Sequence, residues 1–204
     1  MPKPMDIEAQ SMAIIESELQ VALPPELKPI VKRVIHATAD FSFAESLRFS
    51  EGVVPRMRDM LRQGCMVITD TNMALSGISK AALKNCGASA CCLMAEESVA
   101  REAGERGVTR ALVSMERALR LPGKKLLVCG NAPTFLFPLL DLPKMPEDVA
   151  VIGVPVGFVN VVEAKERLWQ SGLPCIVAMG RRGGSNVAAA IVNALLYGME
   201  GVRP

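Results

Sequence analysis

The sequence predicts an α/β protein: a flavodoxin-like, doubly wound, five-stranded parallel sheet with additional N-terminal helices, in one domain over residues 1–204. Three observations lead there. From Cys65 onward, short apolar runs alternate with stretches of helical period. The apolar runs are continuous rather than alternating, as strands buried on both faces are. A strand–helix–strand succession implies parallel pairing through crossover connections.

Taken in order, the first segment, Asp6–Ala22, sets Met12, Ile15, Leu19 and Ala22 on one helical face, with Ser11 beside that stripe. Pro24-Pro25 interrupts the chain. Pro25 and Glu26 read as the start of a second helix, along which Leu27, Ile30 or Val31, Val34 and Thr38 recur at helical spacing. Phe41–Ser50 carries no assignable pattern. Val53–Gln63 predicts a helix that stops at Gly64. Strands are predicted at Cys65–Asp70, Ala88–Met94, Lys125–Cys129, Val149–Val154 and Pro174–Met179. The helices expected after Gly64 are Lys80–Cys86, Ser98–Glu105, Arg110–Arg120, Thr134–Leu142, Val161–Gln170 and Val187–Tyr197.

Composition removes several classes of function. Half the residues are apolar, but no uncharged apolar run is long enough to span a bilayer. The opening M-P-K-P-M-D-I-E has no apolar core of the signal-peptide kind. A net charge of +2 with interspersed signs argues against a nucleic-acid face, and the scattered aromatics offer no stacking platform for bases. The six cysteines form no C-x-x-C pair, and a lone histidine cannot complete a usual zinc set. No metal or cofactor is therefore expected, and the cysteines read as reduced thiols of a cytoplasmic protein.

The single histidine, His36, focuses the chemistry. Imidazole is the only side chain whose unperturbed pKa lies near neutrality. His36 lies on the second predicted helix, three residues after Arg33 and four after Lys32, with Asp40 at the exit. In the last turn the helix dipole favours its protonated form. A histidine there can equally do no more than cap carbonyls. The expected carboxyl ends of the strands carry T-D-T (Thr69–Thr71), A-E-E-S (Ala95–Ser98), G-N-A-P-T (Gly130–Thr134), G-V-P-V-G (Gly153–Gly157) and G-R-R-G-G-S (Gly180–Ser185). Ligands of open parallel sheets bind along that edge. These turns read as a wide shelf of backbone donors, although turn geometry alone also selects such residues. None matches a Walker or G-x-G-x-x-G fingerprint. A large polyanionic small molecule with one proton-transfer step suits the pattern.

In order and spacing, A-Q-S-M-A-I-I (Ala9–Ile15), R-V-I-H (Arg33–His36), D-T-N-M (Asp70–Met73), G-N-A-P-T, G-V-P-V-G-F-V (Gly153–Val159) and G-R-R-G-G-S resemble the precorrin-8X methylmutase family, including its cobalt-precorrin-8 branch. The resemblance spans nearly the whole chain. It implies an isomerase that shifts a methyl group from ring carbon 11 to ring carbon 12 of a tetrapyrrole, giving hydrogenobyrinate or cobyrinate, and that works as a homodimer. It implies His36 as proton donor and acceptor, and Ser11, Arg33 and Arg110 as substrate contacts. Ala37–Asp40 replaces a Cys-Gly type continuation seen in some members, and Asp70-Thr71-Asn72 an Asp-Ala-Glu type sequence. Two other readings compete: a non-catalytic tetrapyrrole carrier, which returns the pigment unchanged, and a nucleotide-binding regulatory domain, which rests on fold alone.

Overall fold

The computed structural model describes residues 4–202. In chain order its elements are α1 (Pro4–Glu18), α2 (Lys28–Thr38), α3 (Phe43–Ser46), β1 (Leu47–Phe49), α4 (Val53–Arg62), β2 (Met66–Thr69), α5 (Asn72–Gly77), α6 (Lys80–Cys86), β3 (Ser89–Cys91), α7 (Glu97–Arg106), α8 (Arg110–Arg120), β4 (Lys125–Cys129), α9 (Phe137–Leu140), β5 (Val149–Gly153), α10 (Val161–Gln170), β6 (Cys175–Ala178) and α11 (Ser185–Tyr197). The strands form one mixed six-stranded sheet in the order β1-β6-β5-β4-β2-β3. Five of them are parallel, and β1 lies antiparallel on β6 with Leu47 opposite Ala178.

The sheet is thus neither purely parallel nor five-stranded, as the sequence had suggested. The added strand comes from the unassigned stretch between Phe41 and Ser50 and is only three residues long, too short to show a period of its own. Helix boundaries shift as well. The chain leaves α1 at Glu18 rather than Ala22. Pro24 accepts from the N–H groups of Leu27 and Lys28 in a turn, so the proline of α2's first turn is Pro29, not Pro25. The helix expected over Thr134–Leu142 is a 3-10 turn at Pro133–Phe135 followed by the short α9.

Burial explains the continuous apolar strands. Leu126, Val128, Ala150, Ile152, Ile176 and Ala178 point to one face, under α2, α4, α6 and α11. Leu127, Cys129, Val149, Val151, Cys175 and Val177 point to the other, under α8, α9 and α10. Helix α11 is buried on nearly every side because α2 packs over its outer surface. Helices that connect strands lie on the first face before β3 and on the second after it. Strand order reverses at β2 and β4, the junction where ligands of open α/β sheets usually sit.

Candidate active site

His36 occupies the last turn of α2. Ile30, Val31, Val34 and Ile35 turn inward from that helix, leaving His36 exposed. Its imidazole has no hydrogen bond or ion pair among the described residues. Ala39 ends the helix in the left-handed region at φ 53°, and its N–H donates to the Ile35 carbonyl at 2.7 Å. Asp40 follows. Its carboxylate accepts from the Ser42 N–H at 3.0 Å and pairs with Arg182 at 2.5 Å. Hydrogen bonding from Ser42, reinforced by the Arg182 charge, holds the Asp40 carboxyl below its ordinary value. Arg182 belongs to the loop after β6, so this pair ties the end of the His36 helix to the carboxyl edge of the sheet.

Arg33 shares α2 with His36 and ties that helix to α1, which carries Ser11. The Arg33 guanidinium donates to Glu8 at 2.7 Å and lies 5.2 Å over the Tyr197 ring. Glu8 is one turn before Ser11 on α1, and Arg33 one turn before His36 on α2. The Ser11 hydroxyl donates to the Ile7 carbonyl of its own helix at 2.9 Å. Glu16 fastens the other end of the pair by accepting from Lys28 and, at 2.9 Å, from Lys32. Arg110 stands apart. It is exposed at the start of α8, capped by Thr109, whose hydroxyl also meets that of Thr134 at 3.0 Å. This places Arg110 near the carboxyl end of β4, but α8 covers the opposite face of the sheet from α2.

The expected shelf of free backbone donors is partly closed. Asp70, fully buried at the end of β2, accepts from the N–H groups of Gly130 at 2.9 Å and of Asn131 and Ala132 at 2.7 Å. Burial pushes its carboxyl up, and the three N–H donors oppose that shift. The turn after β4 therefore spends its donors on the protein's own carboxylate, and no ligand anion can take them. Lys165 of α10 is equally buried. Its ammonium donates to the carbonyls of Gly180 at 2.8 Å and Arg182 at 2.7 Å. Burial draws its pKa down to about 8, against the preference of two carbonyls for the charged form. Neither role was legible in the sequence, because each joins positions far apart in the chain. Among the described residues no group of three or more His, Cys, Asp or Glu side chains is placed to hold a metal ion. The six cysteines are unpaired, and no described helix is long and apolar enough to cross a membrane.

Fold and edge together define an α/β protein with one exposed histidine, flanking arginines and no nucleotide fingerprint. A family model described as precorrin-8X methylmutase matches residues 6–198. A cobalt-precorrin-8 methylmutase of Salmonella typhimurium is 45% identical, over 96% of this chain and 95% of its own. A precorrin-8X methylmutase of Pseudomonas aeruginosa is 38% identical, over 93% of each chain. The crystal structure of a precorrin-8x methyl mutase from Thermus thermophilus superposes with a TM-score of 0.86 at 34% identity, covering 94% of this chain and 96% of that one. The chain belongs to the precorrin-8X methylmutase family.

Proposed function

We propose that the chain, working as one domain in the cytoplasm, is a precorrin-8X or cobalt-precorrin-8 methylmutase, an isomerase of corrin biosynthesis. It moves a methyl group from ring carbon 11 to ring carbon 12 of the macrocycle, giving hydrogenobyrinate or cobyrinate. The observation that carries the reading is the placement of the sole histidine. His36 is solvent-facing, without a partner among the described residues, and held at the sheet's carboxyl edge by the Asp40–Arg182 pair. A methyl shift within one molecule needs orientation and a proton rather than a nucleophile. A positioned acid contributes about two to four orders of magnitude.

In this reading His36 protonates a ring nitrogen and takes the proton back after the shift. Ser11, Arg33 and Arg110 hold the substrate, the arginines by charged hydrogen bonds to its acetate and propionate arms. Arg33 exchanges Glu8 for a substrate carboxylate. Because Arg110 lies across the sheet from the other three, a ligand that touches all four spans the sheet edge or sits between two copies. The latter agrees with a homodimer. With β1 set aside, the order of the parallel strands is that of flavodoxin-like sheets, which supports that finer fold assignment.

The test is conversion of the metal-free and the cobalt-containing precursor, followed by visible absorption. We expect conversion by the natural protein and none by His36→Asn, with pigment affinity largely retained. Asparagine keeps polarity but cannot deliver a proton, so transition-state help is lost more than ground-state binding. A folded His36→Asn protein that turns over at a near-natural rate would remove His36 from the mechanism. A natural protein that binds pigment and returns it unchanged would make the chain a carrier.

A further inference from the structure

Isolated exposed apolar side chains are ordinary, but clustered ones mark a surface that is covered by a ligand or a partner. Seven large hydrophobic side chains are strongly exposed among the described residues, and three of them, Val156, Phe158 and Val159, lie within four positions. They form the tip of the loop between β5 and α10. Phe158 is 81% exposed and Val159 76%.

This tip is held in place. The Gly157 N–H donates to the Arg181 carbonyl at 3.1 Å, and the Gly184 N–H to the Val154 carbonyl at 2.9 Å. These bonds join the tip to the loop after β6. From below, the buried Lys165 ammonium holds the carbonyls of Gly180 and Arg182. Packing at Gly183 is so close that a Cβ there would lie 2.1 Å from the Val154 carbonyl oxygen. The Arg181 guanidinium sits 5.4 Å over the Phe158 ring, covering one face and leaving the other open. The same loop reaches the exit of the His36 helix through Arg182 and Asp40.

An aromatic face presented to water beside a guanidinium, on a braced loop tied through the loop after β6 to the exit of the His36 helix, is complementary to a flat apolar ring with carboxylate arms. We propose that Phe158 and Arg181 form a substrate platform. The macrocycle rests on the open face of Phe158 and one peripheral carboxylate pairs with Arg181, so that the ring is oriented toward His36. Lys165 is a positioning residue that keeps the two loops in register. This inference rests on the methylmutase reading above and names a subsite for it.

The experiment compares the full-length natural protein with Phe158→Ala, Phe158→Tyr and Arg181→Gln. It measures steady-state turnover of the tetrapyrrole precursor, product affinity by absorbance titration, and mass by light scattering. We expect Phe158→Ala to raise KM and product Kd about tenfold with little change in kcat, and Phe158→Tyr to restore both. Arg181→Gln raises KM and flattens the salt dependence of binding. Unchanged KM in Phe158→Ala, or a Tyr variant as impaired as the Ala variant, overturns the platform. So does a lower mass for Phe158→Ala, which would assign the tip to contacts between copies. If the natural protein neither binds nor converts the pigment, the functional reading falls and takes the platform with it. If the natural protein turns over and Phe158→Ala matches it, only the platform falls.

Discussion

Asp70 puts a carboxylate where an open parallel sheet ordinarily receives a ligand's anion. Gly130 bonds to one of its oxygens, and Asn131 and Ala132 to the other. An amide in its place must set an NH2 group against at least one N–H. Asp70→Asn should therefore destabilise the protein by about 3 kcal/mol, the scale of a lost charged acceptor with donors left buried. Urea unfolding checks this, and a midpoint equal to that of the natural protein would show that the turn finds other acceptors. The sequence placed Asp70 at the carboxyl end of its strand, where the structure has it. It could not show that the carboxylate faces inward, because its partners lie some sixty residues downstream. Lys165 gives a prediction in pH. Its folded pKa of about 8 lies below the ordinary lysine value of 10.5. Between those values the unfolded chain binds the extra proton, so stability rises with pH across that window and the contribution is lost as pH falls through 8. Stability of the natural protein relative to Lys165→Met should accordingly grow from pH 8 toward 10.5. A difference that is flat or shrinks over that range would refute the lowered pKa.

Among the elements, those with a long period and a clear stop were readable: α8 and α10 begin and end where the pattern of apolar residues predicted. The elements missed were short. β1 pairs Leu47–Phe49 with β6 and has no alternation to reveal it. α5 is a six-residue helix whose signal is one capping threonine, Thr71, accepting from the Ala74 N–H at 3.1 Å. Such elements are fixed by what they pack against more than by local preference. The loop after β6 shows the same dependence. A methyl group at Gly183 has no space beside the Val154 carbonyl, so Gly183→Ala must part the two loops or distort β5. We expect a loss of at least about 2 kcal/mol of stability, the range of overpacked and strained sites, together with weaker pigment binding. Thermal unfolding and absorbance titration measure the two effects. A fully stable variant would mean that the loops separate without penalty.

Across the whole molecule, the succession of strands and helices fixed the architecture because each crossover needs its own apolar face. The site was legible only in part. Arg33 lies one turn before His36 on α2, as helical spacing suggested, whereas Ser11 is on the separate helix α1 and Arg110 lies on the far side of the sheet. No spacing rule relates residues on different layers. If a second copy completes the site, the protein is a symmetric dimer at working concentration, two-fold pairing being the commonest closed assembly. Light scattering at micromolar concentration should return twice the chain mass, and a single-chain mass would count against it.

The antiparallel strand has a consequence in time as well as in space. β1 is made early in synthesis, but its partner β6 emerges more than a hundred residues later, with Leu47 waiting for Ala178. The His36 helix waits still longer, since its apolar side is covered by α11, the last of the described helices. Contacts of such sequence separation form slowly, because a long loop must close before either end gains anything. The segment that carries Ser11, Arg33 and His36 is thus translated well before the strand and helix on which it docks. A nascent chain must keep the exposed sides of β1 and α2 from finding other partners until α11 leaves the ribosome.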